Sequence, residues 1–284
     1  RSTMRSRSLM SSSGRCHRRT RRRRVSSVAR ALAINVAANT NLPGVRGPIY
    51  PDGSFVYLPI PEREPIDPAA EVPTYDDLLA ELDPLPFELP GESRDTAVHL
   101  DPEFAGYPGC DSYTYGDEHG VKAGPISELQ PGDSLFFYAT LTRHEPPAEV
   151  DTDRAVEWVA PEWGAYLIGE FRISRILDND ACQSLSSADR AAFASNAHRK
   201  RAEFDAKVLV RGGEGSQLFD RGVPLSAPES GSTANQIVTE LSNDSGNGPW
   251  WRRRLWFDTE ATATLRSVTE SVDSHPQRLT EWLS

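Results

Sequence analysis

Apolar residues along the chain fall mostly into short runs, not into long one-sided stripes. The run Leu135-Phe136-Phe137-Tyr138 follows Pro131-Gly132-Asp133. That tripeptide reads as a turn: proline sets φ, glycine accepts the bend, and aspartate bonds nearby backbone donors. The run's length and aromatic content predict a central strand buried on both faces. Ala31–Val36 predicts a second core strand. Gly164–Leu177 predicts the clearest one, with Tyr166, Ile168, Phe171, Ile173 and Ile176 apolar and a bulge at Gly169. Lys207–Val210 is a short strand ended by Gly212-Gly213. Ile49–Ile60 reads as a hairpin turned at Pro51-Asp52-Gly53, with Pro59 and Pro61 keeping its return strand at an edge.

Helical patterns are fewer. Thr74 is placed to cap a helix over Tyr75–Leu82, and Pro84, Pro86 and Pro90 forbid its continuation. Ser186–Arg201 predicts a longer helix, capped by Ser186 or Ser187 and closed by Asn196-Ala-His-Arg-Lys-Arg. A short helix is expected around Ile237–Leu241, and closing helices over Thr259–Val272 and Pro276–Leu283. Glu62–Pro73 reads as a linker. Glu145–Glu162 is acidic and contains proline, and is expected to hang off the sheet as an insertion. Strands outnumber long helices and do not alternate with them, so the fold class expected is α+β, not a doubly wound sheet.

At 284 residues the chain can bury one good-sized core. Residues 28–284 are expected to form one domain. Charge divides unevenly along the sequence. Residues 1–30 carry 11 arginines and no acid, which leaves 20 basic side chains against 41 acidic ones in the remainder, a charge of roughly −21. Residues 1–27 are read as a disordered Arg/Ser-rich tail, or as sequence upstream of the true start. Lysine occurs only at Lys122, Lys200 and Lys207. An acidic, lysine-poor surface suits a halophilic proteome, in which carboxylates hold hydration; an acidic protein of ordinary salt is the alternative. The same balance argues against simple duplex-DNA binding, which depends on neutralising phosphates. Cys16, Cys110 and Cys182 are odd in number and form no C-x-x-C pair, so neither a disulfide framework nor a zinc ribbon is indicated. No apolar run reaches membrane-span length and no secretory leader is visible, so a cytoplasmic protein without membrane association is expected.

Four constellations could carry chemistry. Tyr113, Tyr115, Trp250 and Trp251 sit among glycines and prolines in expected loops. They either stack a base or anchor those loops to the core. Asn196, His198, Arg199 and Arg201 close the expected helix, where an amide could read a base edge, an imidazole could shuttle protons and guanidinium groups could hold phosphate. Cations at a helix C-terminus also satisfy the helix dipole. Gly212-Gly213-Glu214-Gly215-Ser216 could cradle phosphate through backbone N–H groups, but lacks the P-loop pattern and reads more readily as a plain turn. Asn39 and Arg46 lie in the loop after the first strand, where ligand groups often sit. His99-x-Asp101 and Asp117-Glu118-His119 put carboxylates near imidazoles, though neither has metal-ligand or triad spacing. No metal and no cofactor are therefore expected. The absence of H-E-x-x-H, of H-x-E with P-C-x-x-C and of G-x-S-x-G removes support for zinc proteases, zinc deaminases and serine hydrolases.

Pro131-Gly132-Asp133 with Leu-Phe-Phe-Tyr resembles the turn and strand of PUA-like domains, including the ASCH and EVE groups. A longer series is more specific: Arg46-Gly-Pro-Ile-Tyr, Asp52-Gly-Ser-Phe, Pro59-Ile-Pro-Glu62, His99-Leu-Asp-Pro-Glu-Phe, Tyr113-Thr-Tyr-Gly-Asp117, Tyr166-Leu-Ile-Gly-Glu-Phe171, Asn196-Ala-His198 and Gly248-Pro249-Trp250. In this order the motifs resemble the nucleotide modification associated domain family, type 3, over residues 28–284. The acidic segment 145–162 and the run Trp250-Trp251-Arg252-Arg253-Arg254 depart from it. The resemblance implies a PUA-like, strongly bent or barrel-like mixed sheet with flanking helices. It also implies a link to modified nucleobases, without a reaction.

The leading expectation is a module that binds or processes a modified nucleobase or nucleotide, free or in a single strand or flipped out of a duplex. The base would stack on Trp250 or Tyr115, Asn196 or Asn39 would read its edge, and Arg199, Arg201 or Arg46 would hold phosphate. One alternative is a transferase or hydrolase using His198 as acid–base group with Asp117 or Asp101. Another is a structural domain of a mobile-element or defence locus. Oligomeric state is left open.

Overall fold

A computed structural model of the chain describes residues 30–145, 155–272, 275–277 and 279. The Arg-rich segment with Cys16, residues 146–154 and most of the expected last helix lie outside the described residues. Among the described residues the strands are β1 (Ala31–Asn35), β2 (Pro48–Ile49), β3 (Ile60–Pro61), β4 (Val98–His99), β5 (Thr114–Asp117), β6 (Ser134–Arg143), β7 (Trp163–Leu177), β8 (Val208–Gly212), β9 (Gln217–Pro224), β10 (Ser226–Ala227), β11 (Ser230–Ala234) and β12 (Leu255–Phe257). The α-helices are α1 (Tyr75–Glu81), α2 (Gly120–Ser127), α3 (Asn179–Gln183), α4 (Ser187–Ala192) and α5 (Thr259–Val272).

One eight-stranded sheet organises the molecule, in the order β12-β1-β6-β7-β8-β5, with β2 also on β6 and β9 also on β7. Its pairs are antiparallel except that β1 and β2 run parallel to β6. The class is mixed α+β with few helices. The sheet does not close into a barrel among the described residues, so the barrel-like expectation is not met.

β6 is central because its sequence leaves it no solvent face. Leu135 to Ala139 are fully buried, with β1 on one edge and β7 on the other. Phe137 meets Phe171 and Phe104 edge-on, with ring centroids 4.6 and 5.6 Å away. The turn ahead of it works as its residues suggest: the Asp133 carboxylate accepts from Gln130 N at 2.9 Å and Arg30 N at 3.1 Å. In β7 the bulge falls at Ile168, which the pairing with β6 skips. Gly169 beside it is needed for space. A Cβ there would lie 2.5 Å from the Phe104 ring and 2.8 Å from the Gln217 carbonyl.

Three segments differ from expectation. The helix expected over Ser186–Arg201 stops at Ala192, and a 3-10 turn follows at Ala197–Arg199. Ser195 Oγ donates to Glu103 and the Asn196 side chain caps the new turn, so side chains compete with the helical backbone there. The described part of the acidic insertion does not hang free. Val156, Trp158, Val159 and Ala160 are buried, and the Trp158 ring rests on the open backbone of Gly53. Helix α2 carries glycines and Pro125, which obscure it in the sequence.

Gly169→Ala is expected to cost about 1–3 kcal/mol, because neither an aromatic ring nor a backbone carbonyl can yield the missing space. Chemical denaturation would show it; a midpoint equal to wild type would contradict the close-packed bulge.

Candidate functional site

Four chain segments meet beside the edge strand β5. β3 pairs antiparallel with β4, placing Ile60 opposite His99. Glu62, one residue beyond β3, therefore lies beside the His99 ring, with Oε2 2.6 Å from Nδ1. Past β4 the backbones of Glu103 and Thr114 pair, which carries Asp101 alongside β5. There Gly116 N donates to both Asp101 oxygens, at 3.0 and 3.1 Å. A Cβ at Gly116 would sit 2.5 Å from His198 Cδ2, so glycine is what lets β5 pass beneath that imidazole. His198 itself stands on the 3-10 turn. Asn196 fixes it from both sides: Oδ1 accepts from His198 N at 3.1 Å, and Nδ2 donates to Asp101 Oδ1 at 3.2 Å.

The two imidazoles stand edge to face, with centroids 5.1 Å apart. Each has its Nδ1 against a carboxylate: His99 on Glu62 at 2.6 Å and His198 on Asp205 at 2.7 Å. Each Nε2 faces Asp101 Oδ2, at 3.8 and 3.4 Å respectively. The outer carboxylates are held by Arg201, which reaches Glu62 and Glu118 at 3.0 Å and Asp205 at 2.5 Å. Burial alone would push the Glu62 carboxyl up. The His99 hydrogen bond and the Arg201 guanidinium outweigh it and hold that carboxyl well below the usual range. Burial would likewise lower the His198 imidazolium, but Asp101 and Asp205 prevail and raise it to about 10. Asp117 takes the opposite course: burial raises it, and Lys122 offsets only part of the rise.

His99, Asp101, Asp117, Glu118, His198 and Arg201 line a cavity of about 210 Å³, together with Asn35, Asn39 and Tyr115. A second hollow of about 220 Å³ adjoins it, since Asn35 and Asn39 line both. Its other walls include Arg46, Thr140, Trp251 and Arg252. Arg46 lies over the Trp163 ring at 4.6 Å, and its Nε is buried with no partner among the described residues.

The structure therefore gathers His198, Asp117, Asn39, Tyr115 and Arg201, with Arg46 next door. Other expected residues lie elsewhere or are already engaged. Trp250 is fully buried, with its Nε1 donating to Ser232 O, so it offers no face to a base; its neighbour Trp251 lines the hollow instead. Tyr113 packs on Phe171. The N–H groups of Gly212 and Gly213 donate to Tyr113 O and Arg172 O, so they cannot cradle phosphate. Arg199 faces a separate, wider hollow with Asp67 and Asp111. Asn196 is wholly occupied in the scaffold and cannot also read a base edge. Arg201 is neutralised by three carboxylates, which removes it as a phosphate ligand. Sequence reasoning missed Glu62, Asp205, Lys122 and Asn35. Only Glu62 carried a signal, as the end of the Pro59-Ile-Pro-Glu62 motif.

Two sets of atoms have the proximity of metal ligands, each within 4.8 Å of one another: His99, Asp101 and His198, and Glu118, His198 and Asp205. The second already encloses a cation, the Arg201 guanidinium.

Fold and pocket together define a mixed α+β domain with a buried imidazole–carboxylate centre at the edge of an open sheet. No described helix is long and apolar enough to cross a membrane. The family model for nucleotide modification associated domain 3 matches residues 30–273, and the chain belongs to that family. No curated protein and no solved structure matches the chain.

The raised His198 pKa makes the fold depend on pH. That pKa lies above the 6.5 of an ordinary imidazole, so protonation stabilises the fold fully below about pH 6.5, and this contribution is lost as pH rises through about 10. In chelator-treated protein the His198 ring resonances should titrate near pH 10 by NMR, with the denaturation midpoint falling over the same range. Titration near 6.5 would contradict the pairing with Asp101 and Asp205.

Proposed function

We propose that the protein is an enzyme that processes a modified nucleobase or nucleotide, with the His99–Asp101–His198 pocket as its reaction centre. The observation that carries this reading is the double orientation of the imidazoles. Both Nδ1 atoms are committed to carboxylates, and both Nε2 atoms are turned toward one buried acid. A passive base reader has no need of such an arrangement, whereas groups that exchange protons or hold a reacting atom must be positioned and tuned. The substrate's reactive atom meets these three side chains directly or through a group they hold. Asp117, whose carboxyl burial pushes up, lines the same cavity as a proton-exchanging group.

Family membership supports a nucleotide-related substrate, and the adjoining hollow suits one. Arg46 and Arg252 present guanidinium groups without carboxylate partners among the described residues, and Trp251 presents an indole. A phosphate there would leave the base over Asn35 and Asn39, directed at the His198 pocket. At about 210 Å³ the inner cavity is below the roughly 300 Å³ at which drug-sized ligand pockets begin, so only part of a nucleotide enters it. A reader of modified bases would use the Arg46–Trp251 hollow alone, and would bind without turnover.

The test is nucleoside mass spectrometry after incubation with nucleotides and with single-stranded oligonucleotides bearing modified bases. His198→Ala and Asp101→Asn are expected to lower product formation by about 10²–10⁴-fold while leaving binding largely intact. Arg46→Ala should weaken binding by roughly 10–100-fold, as loss of a charged hydrogen bond does. Tight binding with no product from any substrate would favour the reader and sink the enzyme.

A further inference from the structure

We propose that His99 Nε2, His198 Nε2 and Asp101 Oδ2 together bind one divalent transition-metal ion. The inference rests on the same pocket as the proposed function and adds the ion that pocket holds.

The hydrogen bonds on the outer side of the imidazoles point to it. Nδ1 of His99 meets Glu62 at 2.6 Å and Nδ1 of His198 meets Asp205 at 2.7 Å. These are charge-assisted distances, and they fix each ring with Nε2 directed inward, as the outer partners of metal-bound histidines do. Asp101 is held in the same manner, by Gly116 N and by Asn196 Nδ2. On the inner side the distances are longer, 3.8 and 3.4 Å. A buried imidazolium paired with that carboxylate would close to about 2.7–2.9 Å. Two donors on one ion, each about 2.1 Å from it, stand roughly 3–3.5 Å apart. The His198 gap of 3.4 Å matches two donors on one ion and the His99 gap of 3.8 Å exceeds that spacing by a few tenths; without an ion, the His198 imidazolium still faces the Asp101 charge across its longer gap.

Charge agrees with geometry. Around the pocket stand Glu62, Asp101, Asp117, Glu118 and Asp205, against Arg201 and Lys122. Arg201 serves the outer carboxylates and Lys122 donates to Asn35 O at 2.9 Å, so neither reaches between the imidazoles. Two imidazoles and one carboxylate favour zinc, iron, manganese or cobalt over magnesium or calcium, which prefer oxygen ligands. Three protein ligands leave coordination positions open to the cavity, the feature that separates catalytic sites from closed structural ones.

The full chain, stripped with chelator and freed of it, is titrated with Co²⁺ by visible absorption and with Zn²⁺ by calorimetry. One equivalent should bind, with d–d bands of a nitrogen- and oxygen-ligated Co²⁺. His99→Ala, His198→Ala and the near-isosteric Asp101→Asn should each weaken binding by more than the roughly 10–100-fold that loss of an outer partner costs, and Glu62→Gln should fall within that range. His144→Ala, whose ring lies against Phe87, should bind as wild type. No saturable binding by the wild type would overturn the proposal, as would binding that survives Asp101→Asn and both histidine substitutions in variants with native circular dichroism. Because ion binding is read without substrate, metal bound without turnover counts against the enzyme alone, and turnover indifferent to metal counts against the ion alone.

Discussion

The site depends on one buried guanidinium. Arg201 and Glu62 each keep less than a tenth of their side-chain surface exposed, and Arg201 also holds Glu118 and Asp205. Such an arrangement adds little net stability, because desolvation consumes most of the attraction. Removing one partner is costly all the same, about 3–5 kcal/mol, since a charge is then left buried and alone. The consequence is positional. Two of the three carboxylates on Arg201 are each hydrogen-bonded to an imidazole: Glu62 to His99, and Asp205 to His198. One cation thus sets two carboxylates, and these set two rings. Backbone bonds from Asp67 N to Lys200 O and from Ala202 N to Pro65 O clamp the same two stretches of chain, so the ion pairs cannot slip relative to the fold.

The scaffold was far more legible than the centre it supports. β1, β6 and β7 are short-range statements: apolar runs of strand length, punctuated by turn residues, whose burial follows from their own composition. Thr74 likewise announces α1 through a capping box with Asp77, which needs only three residues of context. The pocket has no such local signature. His99 and Asp101 are neighbours in sequence, but His198 joins them from almost a hundred residues away, through a turn that looked helical until Ser195 and Asn196 spent their side chains elsewhere. Residue type also misled in a systematic way. Arg199, Arg201 and Trp250 were read by what they could bind, yet Arg201 and Trp250 had already found partners within the chain, three carboxylates for the one and Ser232 for the other. Only satisfaction, which is a tertiary property, distinguishes Arg46 from Arg201.

Backbone conformation marks the junction between the two hollows. Ala37 has φ of +72°, a region that costs a non-glycine residue about 1–2 kcal/mol. It is held there by its neighbours, with Val36 N bonded to Tyr138 O at 2.9 Å and Ala38 N to Leu58 O at 2.8 Å. The reversal it produces lets Asn35 and Asn39, on either side of it, line both hollows at once. Strain retained where two cavities meet is consistent with a constraint on ligand placement beyond what folding requires.

A nucleotide, if that is the ligand as proposed, faces an electrostatic obstacle, since the chain is acidic overall and the inner cavity is lined by Asp101, Asp117 and Glu118. The groove answers the obstacle by polarity along its length. Its outer end carries Arg46 and Arg252, where phosphate charge is welcome; its inner end carries acids and imidazoles, where it is not. Under the proposed function, a ligand with an anionic end and a neutral base would enter base first. An ion between the imidazoles would sharpen that choice, because it lowers the negative charge at the inner end without adding an attraction strong enough to draw phosphate past Arg46. If the proposed function holds, specificity for the phosphate and chemistry on the base are separable in such a groove, and the acidity that disfavours duplex DNA would also help direct the base inward.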